Sequence, residues 1–180
     1  MRDDLRVANI IPTQSPYGDP SFCKVAVFDI EGVNAIVDWV WVELRDANTS
    51  TIVVASQSAL LQRDGDVVGV DGVSPISFVL PEGAYYVAIK HRNHLGVITA
   101  STVTISSTGT VIDFTDANNQ ITFGTDAQTT FGMPMGIVGM WAGDASGDGN
   151  LNYLGVLSDT PSIRSQVFNY PNNSVFGGPP

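Results

Sequence analysis

The stretch Ala35–Arg45 is the strongest constraint on how this chain can fold. Ile36, Val40, Val42 and Leu44 alternate with Val37, Trp39 and Trp41, so a β-strand built from it is apolar on both faces. Such a strand belongs in the middle of a structure, covered on each side. Further strands are expected at 5–11, 23–30, 52–56, 59–62, 67–70, 76–80, 84–90, 97–105 and 110–114, with short ones near Phe123, Phe131 and 138–141. Turn formers separate them, notably Arg63-Asp64-Gly65-Asp66, Asp71-Gly72 and Pro81-Glu82-Gly83. No helical period precedes residue 160, and 161–168 reads as the single helix. The predicted class is all-β: an antiparallel β-sandwich over 1–141, then a loop, one short helix and an irregular tail over 142–180.

The second informative stretch is Gly143-Asp144-Ala145-Ser146-Gly147-Asp148-Gly149-Asn150-Leu151-Asn152-Tyr153. Oxygen-bearing side chains fall on alternate residues: Asp144, Ser146, Asp148, Asn150 and Asn152. Gly149 is sixth from Asp144, where an EF-hand-type loop turns sharply. Leu151, eighth, is the apolar residue that pins such a loop. Hard oxygen ligands at this spacing suit Ca²⁺. The twelfth place, normally a bidentate Glu, is Gly155; the next acid is Asp159, four places later. Ser158-Asp159-Thr160-Pro161 reads as a helix start, so a longer loop can end on Asp159. The expected metal ligands are Asp144, Ser146, Asp148, Asn150, Asn152 and Asp159. Asp, Gly and Asn are also the commonest turn formers, and an ion-free turn cluster is the competing reading.

Charge and composition exclude some classes. Eighteen acids against eight bases give a net charge of −10, which argues against nucleic acid, because phosphate binding needs a basic face. The lone Cys23 permits no internal disulfide and reads as a small buried hydrophobe. No apolar run approaches the ~20 residues of a membrane-spanning helix. Met1-Arg2-Asp3-Asp4 does not open a signal peptide, and the tail Phe176–Pro180 has no stop character, so the chain is expected to be a piece of something longer.

Other clusters have bland explanations. His91-Arg92-Asn93-His94 can hold a carboxylate, a sugar hydroxyl or a metal shared by two His, yet zinc normally needs three or four ligands; a hairpin loop satisfying its own backbone is favoured. Trp39 and Trp41 share a strand face. Exposed, they make a stacking platform for a sugar; buried, they are core, which is the favoured reading. Tyr85 and Tyr86 point to opposite faces, so at most one joins that platform. Candidate sugar-binding residues are Trp39, Trp41, Tyr85, Arg92 and His94. Asp64, Asp66 and Asp71 are read as turn residues rather than a second ion site. No Gly-x-Ser-x-Gly, His-Glu-x-x-His or phosphate loop is present, and nothing points to catalysis.

The segments Val37–Arg45, Leu61–Val68, Tyr85–Val97, Asp113-Phe114 and Trp141–Asp144 together resemble the C-terminal region of large secreted surface proteins of Bacteroidota, called hemagglutinin-like or dockerin-like. The resemblance spans Leu5 to about Phe176. It implies a module that precedes paired Asp-rich loops and a sorting domain for type IX secretion, and hence an extracellular, cell-surface location. Only the first loop is present, and it carries Gly155 where dockerins carry an acid. The expectation is a non-catalytic structural or adhesion module stabilised by Ca²⁺, with neighbouring domains or copies of the same surface protein as partners. Two alternatives are a carbohydrate-binding module taking glycans, and a homo-oligomeric, self-assembling fibre subunit.

Overall fold

The computed structural model describes residues 1–155 and 158–163. Eight strands account for nearly all of its regular structure: β1 (Ile36–Arg45), β2 (Val53–Gln62), β3 (Val67–Val68), β4 (Gly83–His91), β5 (His94–Ile98), β6 (Val103–Ile105), β7 (Gln128–Thr129) and β8 (Gly139–Met140). The protein is all-β, and every strand pairing is antiparallel. One sheet runs β3-β2-β1-β4-β5, with β6 on the part of β4 that β5 leaves open; β7 and β8 form a separate ribbon. The doubly apolar strand thus takes the central position that its pattern demands.

Both faces of β1 are covered. Trp39 and Leu60 share a core with Ile36, Val68 and the N-terminal residues Ile11, Cys23 and Val27. Val40, Val42 and Leu44 face the other way, joining Ala59 and Val87. A β-bulge between Ile36 and Asp38 shifts the alternation and lets Ile36 join the Trp39 side. The covering layers are mostly irregular. Ile76, Phe78, Leu80, Ile112 and Phe114 pack on the second core from segments outside any strand. Their alternation, which reads as strands at 76–80 and 110–114, is therefore satisfied by docking on the sheet rather than by ladder hydrogen bonds.

Two other expected strands are also corrected. The segment 5–11 starts inside a short helix, α1 (Asp4–Val7), which Arg6 ties down by bonding Asp3 Oδ2 at 2.7 Å and the Phe28 carbonyl at 2.9 Å. Segment 23–30 forms a 3-10 turn over Val25–Asp29 that buries Val27. In both places the chain lies over a sheet face, where no free strand edge is offered to pair with. The separate strands at 52–56 and 59–62 merge into β2, and the hairpin loop expected at His91–His94 tightens to the turn Arg92-Asn93 between β4 and β5. Phe123 and Phe131 are exposed. At the C-terminal end residues 160–163 are helical; the rest of the predicted 161–168 helix lies outside the described residues. No helix among the described residues is long and apolar enough to cross a membrane.

Candidate functional site

The Asp loop hangs from the β4–β5 hairpin. Leu95 N–H donates to the Trp141 carbonyl at 2.8 Å, and Gly143 N–H donates to the Asn93 carbonyl at 2.9 Å. His94 and Ala142 form a bridge between those two contacts. Residues 141–143 thus run as a strap along β5, and Asp144 follows at once. Beyond Gly143, every hydrogen bond among the described residues stays within the segment itself.

Two carboxylates organise that segment. Asp144 Oδ1 accepts from Gly147 N–H (2.9 Å) and Oδ2 from Gly149 N–H (3.1 Å). Gly149 has φ +80°, the left-handed turn expected of the sixth place. Asp159 Oδ1 accepts from Ser146 N–H (3.0 Å), and Oδ2 from Asn152 N–H (2.9 Å). The late acid therefore closes the loop. It is placed like a helix cap, but its side chain faces the loop amides, while the Asp159 carbonyl accepts from Ile163 N–H. Bonds from the Asn152 and Ser146 amides hold the Asp159 carboxyl below its ordinary value. Asp144 and Asp159 are 4% and 5% exposed, and neither meets a cationic side chain among the described residues.

The remaining expected ligands are placed less tightly. Asp148 and Asn150 are exposed and bonded to one another, Asn150 N–H donating to Asp148 Oδ1 at 2.9 Å. Asn152 contributes its backbone, its N–H going to Asp159 and its carbonyl accepting Asp159 N–H at 2.8 Å. Ser146 contributes its N–H. Leu151, the residue expected to pin the loop, is exposed instead and joins neither core, its side chain lying only near Gly143. Among the described residues no three His, Cys, Asp or Glu side chains come together as a ready metal cluster. The side chains this loop offers are all oxygen donors, the chemistry that suits Ca²⁺.

The expected sugar platform is not one surface. Trp39 is fully enclosed, and its indole N–H donates to the Pro12 carbonyl at 2.8 Å; it can offer no face to a ligand. Trp41 is half-buried, tilted on Tyr17 at 5.9 Å between ring centroids, with its N–H on Glu43 Oε1. Tyr85 belongs to the opposite face of the sheet, with the Val40–Leu44 core. Arg92 Nη2 is held by Asp38 Oδ2 at 2.9 Å. His94 Nδ1 lies 2.8 Å from His91 Nδ1, and His91 Nε2 lies 3.0 Å from Asp38 Oδ2.

Asp38 is the site residue that motif reading passed over. It is 6% exposed and meets His91, Arg92 and the Trp39 amide. Its signal was a carboxylate inside an otherwise apolar strand, which is tolerated only with partners supplied from elsewhere. Glu43, in the same strand, is the second such case. Compared with known proteins, the chain matches no family model, no curated protein and no solved structure.

Proposed function

We propose that this chain is a non-catalytic structural or adhesion module whose Asp loop is completed by Ca²⁺. The observation that carries the reading is the pair of buried carboxylates, Asp144 and Asp159, which close one short loop from its two ends. Buried carboxylates are costly without a counter-charge. Backbone amides meet part of that cost, and a cation would meet the rest. Each oxygen has a lone pair beyond the one its amide occupies, and Ser146, Asp148, Asn150 and Asn152 supply further oxygens within the same turn. Asp148 and Asn150 would move inward to join. The net charge of −10 and the resemblance to secreted surface proteins support an extracellular setting, where such an ion is plentiful.

An ion that binds only the folded state stabilises it by mass action, about 2.7 kcal/mol at a hundredfold excess over Kd. Thermal melts with Ca²⁺, with Mg²⁺ and with chelator should show a Ca²⁺-specific rise in Tm. Asp144→Ala and Asp159→Ala should remove that rise, while melting like each other in chelator. Equal melting of the wild type in all three conditions would reduce the loop to an ion-free turn.

A second reading, self-assembly into a fibre, is favoured by the outer edge of β2. β3 covers only Leu60 and Leu61 and Asp19 takes the Ser58 amide, but Val53 and Val54, with Ile52 before them, are exposed at the start of the strand. Open edges of this kind take up another strand readily.

A further inference from the structure

The β4–β5 hairpin carries a hydrogen-bond chain that the proposed function does not use. Asp38 lies on β1, His91 ends β4, and His94 begins β5. The Asp38 carboxylate can only accept, so His91 Nε2 carries a proton and donates to Asp38 Oδ2 (3.0 Å). Asn93 N–H donates to His91 Nδ1 (3.2 Å), so that nitrogen is a lone pair. His94 Nδ1, 2.8 Å away, then carries a proton and shares that one lone pair with the Asn93 amide in a three-centre bond. The chain has one direction and leaves His94 Nε2 as its free end. The two rings meet edge to face, 4.6 Å between centroids.

We infer that Asp38, His91 and His94 form a proton-sensitive latch that holds the 141–143 strap, and with it the Asp loop, on the sheet. Only one proton fits between the two Nδ1 atoms. The first proton gained on acidification goes to His94 Nε2, making an imidazolium in a half-buried position. The charged ring is poorly accommodated in the hairpin; opening the hairpin hydrates it, so acid favours the open form, and the strap is bonded to the Asn93 and Leu95 backbones inside it.

The charged surroundings are few. Asp38 faces the pair from β1, and Arg92 flanks it from the turn. Tyr17, from the N-terminal segment, stays neutral, because burial pushes its phenol up to about 12. Trp141, Ala142 and Gly143 bring no ionisable group, and Asp144 follows them. Burial, then the neighbouring His91, hold His94 below the ordinary 6.5, with Asp38 opposing. A base whose folded value is depressed is protonated first in the unfolded chain, so its contribution to stability is present at neutral pH and lost as pH falls.

The test is NMR on the intact chain. Long-range ¹⁵N–¹H spectra at neutral pH should show His91 as the Nε2–H tautomer and His94 as Nδ1–H. Hydrogen-exchange protection of the Leu95 and Gly143 amides should fall about tenfold between about pH 7.5 and about pH 5, while Val87 stays protected. His94→Asn keeps an N–H donor near the Nδ1 position but cannot titrate, and should abolish that fall. Two ordinary Nε2–H tautomers, or the same loss of protection in wild type and His94→Asn, would overturn the latch. The inference does not need Ca²⁺: the tautomers are read in chelator, so its failure and that of the calcium reading are separate.

Discussion

Glu43 shows at the residue scale how a charge survives inside this sheet. It is 4% exposed, yet it accepts from Arg45 Nη2 and Lys90 Nζ, both at 2.6 Å, and from the Trp41 indole at 3.1 Å. Burial pushes its carboxyl up, but Lys90 and Arg45 outweigh that and hold it below its ordinary 4.5. Its stabilising contribution is therefore complete above that value and lost as pH falls through and below it. Glu43→Gln should cost about 2 kcal/mol at neutral pH in urea unfolding. That is below the roughly 3–5 of a fully buried pair, because Lys90 is half exposed and solvated. The same variant should show a shallower loss of stability on acidification below about pH 4.5. An unchanged acid slope would mean the Lys90 and Arg45 contacts contribute little.

At the scale of elements, the outcome depended on whether a predicted strand found a neighbour to pair with. Ile36–Arg45 and Val53–Gln62 are ten residues each and meet along their length. The segments 76–80 and 110–114 have the same alternation but lie over a sheet face, where their apolar residues are buried and their backbones are unpaired by strands. Periodicity reports which side is apolar, not whether an edge is available. Two separate cores on one sheet lead to a measurable consequence. Leu44→Ala and Leu60→Ala should each cost about 3 kcal/mol, and the double variant should show their sum within about 0.5 kcal/mol. Leu44 and Leu60 lie on opposite faces in different clusters. A coupling of 1 kcal/mol or more would merge the two cores into one.

At the scale of the whole molecule, the described residues are framed by one six-stranded sheet and a two-stranded ribbon, and much of the rest of them is irregular cover. The sheet's flanks differ. The β5 side is guarded by the strap at 141–143, whereas β2 before Leu60 has no strand beside it among the described residues. Light scattering should find a weight-average mass rising with concentration above 19.1 kDa, and Val54→Lys should hold it at the monomer value, since a charge on an open edge blocks strand addition. A wild type that stays monomeric at high concentration removes the fibre reading. Thermal melts address calcium independently of that outcome.

By itself the sequence determined the all-β class, the central strand, the hairpin turn at Arg63–Asp66 and the left-handed turn at Gly149. Each rests on contacts between residues near in the chain: alternation within a strand, a left-handed glycine. Only the tertiary structure decided which alternating segments became strands, that Asp159 reaches back to Ser146 and Asn152, that Trp39 is sealed from any ligand, and that Asp38 meets His91. Those outcomes depend on what lies opposite a side chain after folding. Asp38 and His91 are 53 residues apart, and no local pattern carries information about a partner at that distance.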